Sequence, residues 1–190
     1  MRPIDLAYRD LGFKGVAVFL NNNPNTVCNE VLNKAAAHND RATVELVLPY
    51  SDPKHSQSLP LRRAVNNGHY DMVEFLLPYS DATGMKCSAL LRAVEQQDLK
   101  MVALLLPHSD PNMRRSLFLR HCVYHNFQDI AQLLWPLSNI EVIRRDFIKQ
   151  DDDHSRLQLQ KMDIWEREFQ HENIEKSLGQ YEPANRVLKI

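Results

Sequence analysis

The side chains with the most obvious reactive chemistry in this chain sit close together, at His121, Cys122 and His125. Histidines at i and i+4 share one face of a helix and suit a zinc ion held through imidazole nitrogens. A hydrolytic zinc site also needs a third ligand and a nearby carboxylate. No acidic residue stands between these two histidines, and Cys122 belongs to an apolar register that faces away from them. The arrangement therefore points away from a metal site. Other catalytic templates are missing too: there is no Gly-x-Ser-x-Gly elbow, and the five glycines form no phosphate-cradling loop. Asp52, Asp81 and Asp110 recur at a fixed spacing, each beside a serine. Catalytic carboxylates do not come in triplicate, so these read as turn formers. No catalytic residue, cofactor or metal ligand is expected.

What remains is the chemistry of recognition. Lys34, Arg63, Arg92 and His121 recur at one spacing, followed along the same face by His38, Asn67, Gln96 and His125. Ala37, Asn66, Glu95 and Tyr124 stand beside them. These positions vary in type while their apolar neighbours hold constant, as a fixed frame with a tailored surface requires. A solvated helix face would show the same polar composition. A second series, Tyr50, Tyr79, His108 and Leu137, follows a recurring proline; exposed aromatics there favour contact, and packing against the next loop is the competing role.

The frame is a repeat. Segments beginning at Asn29, Ser58, Cys87 and Ser116 align without gaps at a stride of 29 residues. Leu32, Leu61, Leu90 and Leu119 share one register, and Ala35, Ala64, Ala93 and Cys122 share a small one. Val44, Val73, Val102 and Ala131 follow, and each unit closes on Pro49, Pro78, Pro107 or Pro136. In the second unit Leu61, Ala64 and Val65 lie at i, i+3 and i+4, one face of a helix begun by Pro60. Gly68 and its equivalents Asn39, Gln97 and Asn126 supply a left-handed turn. A second helix carrying Met72, Val73, Phe75 and Leu76 follows, and Pro78 is expected to stop it. Such a unit buries its apolar face only against neighbours, so about three or more are needed to fold.

The second unit, from Leu59-Pro60-Leu61 through Ala64-Val65-Asn66-Asn67-Gly68-His69 to Val73-Glu74-Phe75-Leu76-Leu77, resembles the ankyrin repeat family. The resemblance covers residues 29–144 and implies an all-α fold. That fold would be an ankyrin-like helical-hairpin solenoid with about four regular repeats (29–57, 58–86, 87–115 and 116–144). It also implies partner binding through the exposed first-helix faces, which form the concave side of such stacks. Ankyrin units run to about 33 residues, so the finger hairpins are expected to be replaced here by tight Pro-x-Ser-Asp loops. Short, finger-poor units of this kind are similar to those of bacterial and viral proteins, including secreted effectors. Leucine-rich and tetratricopeptide repeats fit neither the pattern nor the stride.

Residues 1–28 read as a degenerate N-terminal repeat or cap, with Gly12, Val16, Phe19 and Leu20 echoing Gly68, Met72, Phe75 and Leu76. Residues 145–190 read as a C-terminal helical cap or extension. Asp151-Asp152-Asp153 is a helix start or loop there. An amphipathic stripe is then expected through Leu157, Lys161, Ile164, Trp165, Glu168 and Phe169, ending near Gly179 with Pro183 beyond.

Hydrophobic residues at 44% suffice for a core, while a net charge of −1 gives no global attraction to nucleic acid or anionic membrane. Three unpaired cysteines and the lack of a long apolar run suggest a reducing, cytoplasmic setting, or a host cytosol for an effector or viral protein. The expected partner is another protein, with no membrane. The alternatives are an RNA-binding solenoid using the basic row, or a metal-dependent protein using His121 and His125.

Overall fold

A computed structural model describes residues 2–179. The described residues form helices without a strand: α1 (Pro3–Asn22), α2 (Asn29–Ala37), α3 (Arg41–Val47), α4 (His55–Asn66), α5 (Tyr70–Leu76), α6 (Gly84–Glu95), α7 (Leu99–Leu105), α8 (Met113–His125), α9 (Gln128–Leu134), α10 (Ile140–Gln150) and α11 (Asp153–Gly179). Three-residue 3-10 turns follow α3, α5, α7 and α9. Pro183 lies outside the described residues.

The long helices pack in sequence, α2 on α4, α4 on α6, α6 on α8 and α8 on α10. Each of α2, α4, α6 and α8 also packs against the short helix that follows it. Burial follows the 29-residue stride. Leu32, Leu61, Leu90 and Leu119 are fully buried, as are Ala35, Ala64, Ala93 and Cys122. The small register is small because two helices approach there. One continuous apolar core runs from Ile4 in α1 to Phe169 in α11.

The turn within each pair has a common construction. Asn39, Gly68, Gln97 and Asn126 adopt φ of 57°, 68°, 56° and 62°. The next amide reaches back five positions to the carbonyl of the small residue, as in His69 N to Ala64 O at 3.0 Å and Asp98 N to Ala93 O at 3.0 Å. That is a Schellman closure, which satisfies carbonyls left over at the helix end. Asp40 and Asp98 then cap the short helices by accepting from Thr43 N and Met101 N.

Glycine is required at two further positions, both in α1: a Cβ on Gly15 would lie 2.3 Å from the Ala7 carbonyl oxygen. Gly12 breaks α1 with φ 57° and ψ −141°, a region closed to side-chain-bearing residues. Gly12→Ala is expected to cost about 1–3 kcal/mol. Gln97→Gly relieves a non-glycine left-handed residue and should gain about 0.5–1 kcal/mol after glycine's own entropy cost. Opposite shifts of the urea midpoint would register both.

Proline does not end the short helices outright. After Leu76 the chain tightens into the 3-10 turn Leu77–Tyr79, with Pro78 at its second position. A ring that fixes φ fits the tighter turn and lacks only an N–H that would have bonded one turn back. Beyond it, Asp52, Asp81 and Asp110 accept from Lys54 N, Thr83 N and Asn112 N at 3.0, 2.9 and 2.9 Å, the turn chemistry that their recurrence implies.

A left-handed run not expected from the sequence then enters α4, α6 and α8. Ser56-Gln57-Ser58, Met85-Lys86-Cys87 and Arg114-Arg115-Ser116 all have positive φ. Each such residue costs on the order of 1–2 kcal/mol, so local bonds must offset it. Ser58 Oγ accepts from Asp81 N at 2.7 Å, and Ser116 Oγ accepts from Asn139 N at 3.1 Å. Asn29 Oδ1 accepts from Asp52 N at 2.8 Å at the equivalent place. The first residue of each alignment unit thus holds the following loop. Arg62 adds bonds to the carbonyls of Gln57 and Ser56 at 3.2 and 2.9 Å.

At the C-terminal end, α11 packs against α10 and α8. Its buried stripe is Ser155, Gln158, Met162, Trp165 and Phe169, while Leu157 and Ile164 are exposed. This corrects the sequence stripe, which put Leu157 and Ile164 on the buried face. Asp151 ends α10 in the left-handed region, and Asp152 accepts from Ser155 N at 2.6 Å to start α11.

Candidate functional site

The outer face of the long helices carries the recurring polar positions. Arg63 and Arg92 are exposed; Lys34 and His121 are half-buried. Among the described residues neither Lys34 nor Arg63 has an ion-pair partner, whereas Arg92 Nη1 lies 3.3 Å from Glu95 Oε2 one turn along α6. The basic row is therefore broken at its third member. An exposed pair of this kind contributes about 0–1 kcal/mol, so Arg92 remains easily redirected to a partner.

Several neighbours are occupied by the chain itself. His38 Nδ1 sits 2.9 Å from Lys34 O, and Asn67 Nδ2 donates to Arg63 O at 2.9 Å. Gln96 Nε2 reaches Asn66 O of the preceding unit at 3.0 Å. These side chains satisfy orphan carbonyls at helix ends. His69, from the Asn-Gly-His segment, likewise brings Nε2 to 2.9 Å from Ala37 O and ties neighbouring units.

His121 and His125 do come together, with ring centroids 4.2 Å apart, and both contact Phe127. Burial, then the neighbouring His125, holds His121 below the usual histidine range, with Glu95 opposing. Among the described residues no group of three or more His, Cys, Asp or Glu side chains is arranged to hold a metal ion. Tyr124 is wedged between Phe147 and His154, at centroid distances of 5.4 and 5.2 Å. Its ring belongs to the packing of the C-terminal helices.

All three thiols are buried and free. Burial pushes Cys122 up to about 12 and raises Cys28 and Cys87 as well. Their protonated forms are favoured in the folded chain, so the stabilisation is fully present below the unfolded thiol pKa of about 8.5. For Cys122 it is lost as pH rises from there toward about 12, with a slope of up to about 1.4 kcal/mol per pH unit. A thiol reagent at pH 8 should therefore label none of the three until denaturant is added, and urea midpoints should fall between pH 9 and 11.

The loop edge is the second candidate surface. Tyr50, Tyr79 and Leu137 are 39%, 45% and 47% exposed, and His108 is exposed too. Tyr79 packs against Phe75 at 5.8 Å, and Phe75 in turn lies 4.0 Å beneath the Arg41 guanidinium. Two surface cavities open on this edge. One of about 450 Å³ is lined by Leu48, Pro49, Pro53, Lys54, Pro78 and Tyr79. The other, of about 710 Å³, includes Asn112, Arg115, Pro136 and Leu137. Lys54 and Arg115 were not singled out by the sequence: the Lys54 position varies in type, as Thr83, Asn112 and Glu141, and the basic series Lys86, Arg115 and Arg144 was passed over.

Among the described residues no helix is long and apolar enough to cross a membrane. Comparison with protein-family models, with curated proteins and with solved structures returned no match to this chain.

Proposed function

We propose that this chain is a protein-binding scaffold of ankyrin-like type, an adaptor or inhibitor that recognises a partner protein through its first-helix faces and loops. The observation that carries the reading is a division of labour within the repeat. Registers that hold constant, such as Leu61, Leu90 and Leu119, are fully buried, while the variable Arg63, Arg92, Asn67 and Gln96 are exposed on the same helices. A surface free to vary on a fixed interior is what partner selection needs. The array's ends differ from its middle, as expected of a stack whose terminal units must cover an open core.

Lys34 and Arg63, without ion-pair partners among the described residues, would steer an acidic strip on the partner. Charge reversal at Lys34, Arg63 and Arg92 together is expected to leave helicity unchanged and to abolish capture of the partner in an affinity pull-down. Capture that survives the triple reversal removes the concave face from the reading. The same row would serve an RNA, whose binding would weaken steeply with salt; a flat salt dependence excludes that alternative.

A further inference from the structure

Asn67-Gly68 is the one place in the chain where an asparagine precedes a glycine; every other asparagine precedes a residue with a side chain. The pair carries chemistry that needs no cofactor. The backbone nitrogen that follows an asparagine can attack that residue's Cγ, and a glycine nitrogen, with no Cβ beside it, is the least hindered.

In the folded chain three features hold the reaction off. Asn67 ends α4 with φ −99° and ψ 5°. A five-membered ring through Cγ and the Gly68 nitrogen is nearly planar, so Cβ and that nitrogen must eclipse about the Cα–C bond. With ψ near zero, Asn67's own backbone nitrogen holds the eclipsed place and Cβ is turned well away. Rotation to the ring-closing ψ crosses backbone space outside the main allowed wells. Second, the Gly68 N–H, whose proton must leave, donates to Val65 O at 3.0 Å. Third, Asn67 Nδ2, the departing amine, donates to Arg63 O at 2.9 Å and draws the carboxamide back along α4. The next amide, His69 N, closes the turn on Ala64 O. The bonds that end the helix therefore also withhold the nucleophile and the leaving group.

Crowding plays no part in this protection. Asn67 is exposed, and a Cβ built on Gly68 would meet nothing within 4 Å. Conformation alone protects the pair, and conformation is lost whenever the unit opens. In a stack of repeats, units open locally as well as together.

We propose that Asn67 is a deamidation site gated by the fold of the second unit, closed in the packed stack and open once α4 and α5 come apart. On opening, Gly68 N loses its proton and attacks Asn67 Cγ. The Cγ–Nδ2 bond breaks, and ammonia leaves with a proton equivalent to the one lost. Water then opens the succinimide at either carbonyl, giving aspartate or isoaspartate. The isoaspartate backbone runs through Cβ and is one carbon longer just before the left-handed residue. The closure of His69 N on Ala64 O then falls out of register, so the opening leaves a lasting record. Both products add a negative charge one turn from Arg63 on the first-helix face. The chemistry stands whether or not that face binds a partner.

The test is peptide mass spectrometry of the full chain incubated at pH 8.5 in native buffer and in denaturing urea. Conversion at Asn67 should run at least tenfold slower in native buffer, where only the opened fraction reacts. Gly68→Asn, which installs the residue type found at the same place in Asn39 and Asn126, should cut the urea rate at least tenfold. Leu61→Ala removes a fully buried side chain of α4 without touching the pair. It should leave the urea rate unchanged and raise the native-buffer rate at least threefold, reaching the urea rate if the unit no longer folds. Chains carrying isoaspartate at this position should unfold at lower urea than unconverted chains from the same incubation. Equal rates in the two conditions, or a native-buffer rate indifferent to Leu61→Ala, would overturn the gate. A urea rate unchanged by Gly68→Asn would overturn the site, and an unchanged midpoint after isoaspartate formation would remove the lasting record.

Discussion

Replacing Leu90 by alanine is expected to lower the unfolding free energy by about 2–5 kcal/mol, the range for a buried leucine whose site cannot fully collapse. Leu90 is fully buried in α6, with the matching Leu61 and Leu119 buried in the helices packed on either side. The deletion removes apolar contact and leaves a void at the middle of the stack. A stack of near-identical units is held by interfaces between neighbours, so a weakened central unit lowers coupling on both sides. The urea transition should therefore move to lower concentration and also broaden. Circular dichroism across a denaturant series measures both. A loss below about 1 kcal/mol would mean that α6 does not share a continuous interior with α4 and α8.

That burial pattern was legible in the sequence because it is periodic. A register that must be filled in every unit is written four times, and chance agreement over Leu32, Leu61, Leu90 and Leu119 is small. The left-handed turn at Gly68 was legible for a related reason: glycine and asparagine dominate positive φ, and the equivalents include Asn39 and Asn126. The run Met85-Lys86-Cys87 gave no such sign, since none of its residue types favours positive φ. Only its last position carried a trace, in the small polar Ser58 and Ser116 that hold the next loop. The face of α11 was misjudged where repetition ends. Without a second copy to compare, Leu157 and Ile164 looked as suited to burial as Met162 and Trp165. Among the surface candidates, residue type showed polarity but not commitment. Asn67 and Gln96 are spent on backbone carbonyls, while Lys34 and Arg63 are free of ion pairs among the described residues.

Trp165→Ala is expected to cost about 3–5 kcal/mol, while Ile164→Ala, one residue away, should cost less than about 0.5 kcal/mol. Trp165 is 4% exposed and Ile164 is 48% exposed, so adjacent apolar residues of one helix differ almost completely in what they bury. Trp165 contacts Phe169 at 6.2 Å, and Phe169 meets Trp135 edge-on at 5.4 Å, which ties α11 to the 3-10 turn after α9. Polar contacts frame this patch. Lys161 Nζ donates to Val123 O at 2.8 Å, and Arg144 bridges Asp163 and Glu166 at 2.5 and 2.9 Å. Gln128 donates to Glu168, and Gln132 to Glu172. Because most of these groups are partly exposed, each adds about 0–1 kcal/mol, and the aromatic patch must supply most of the attachment. Removing the indole should then release α11 and uncover the apolar side of α8 and α10, where Phe118 and Phe147 are buried. The released chain should unfold at lower urea and bind a hydrophobic dye before its main transition. If Ile164→Ala proved the costlier change, α11 would have to lie on its other face, and the last unit of the stack would be covered by something else.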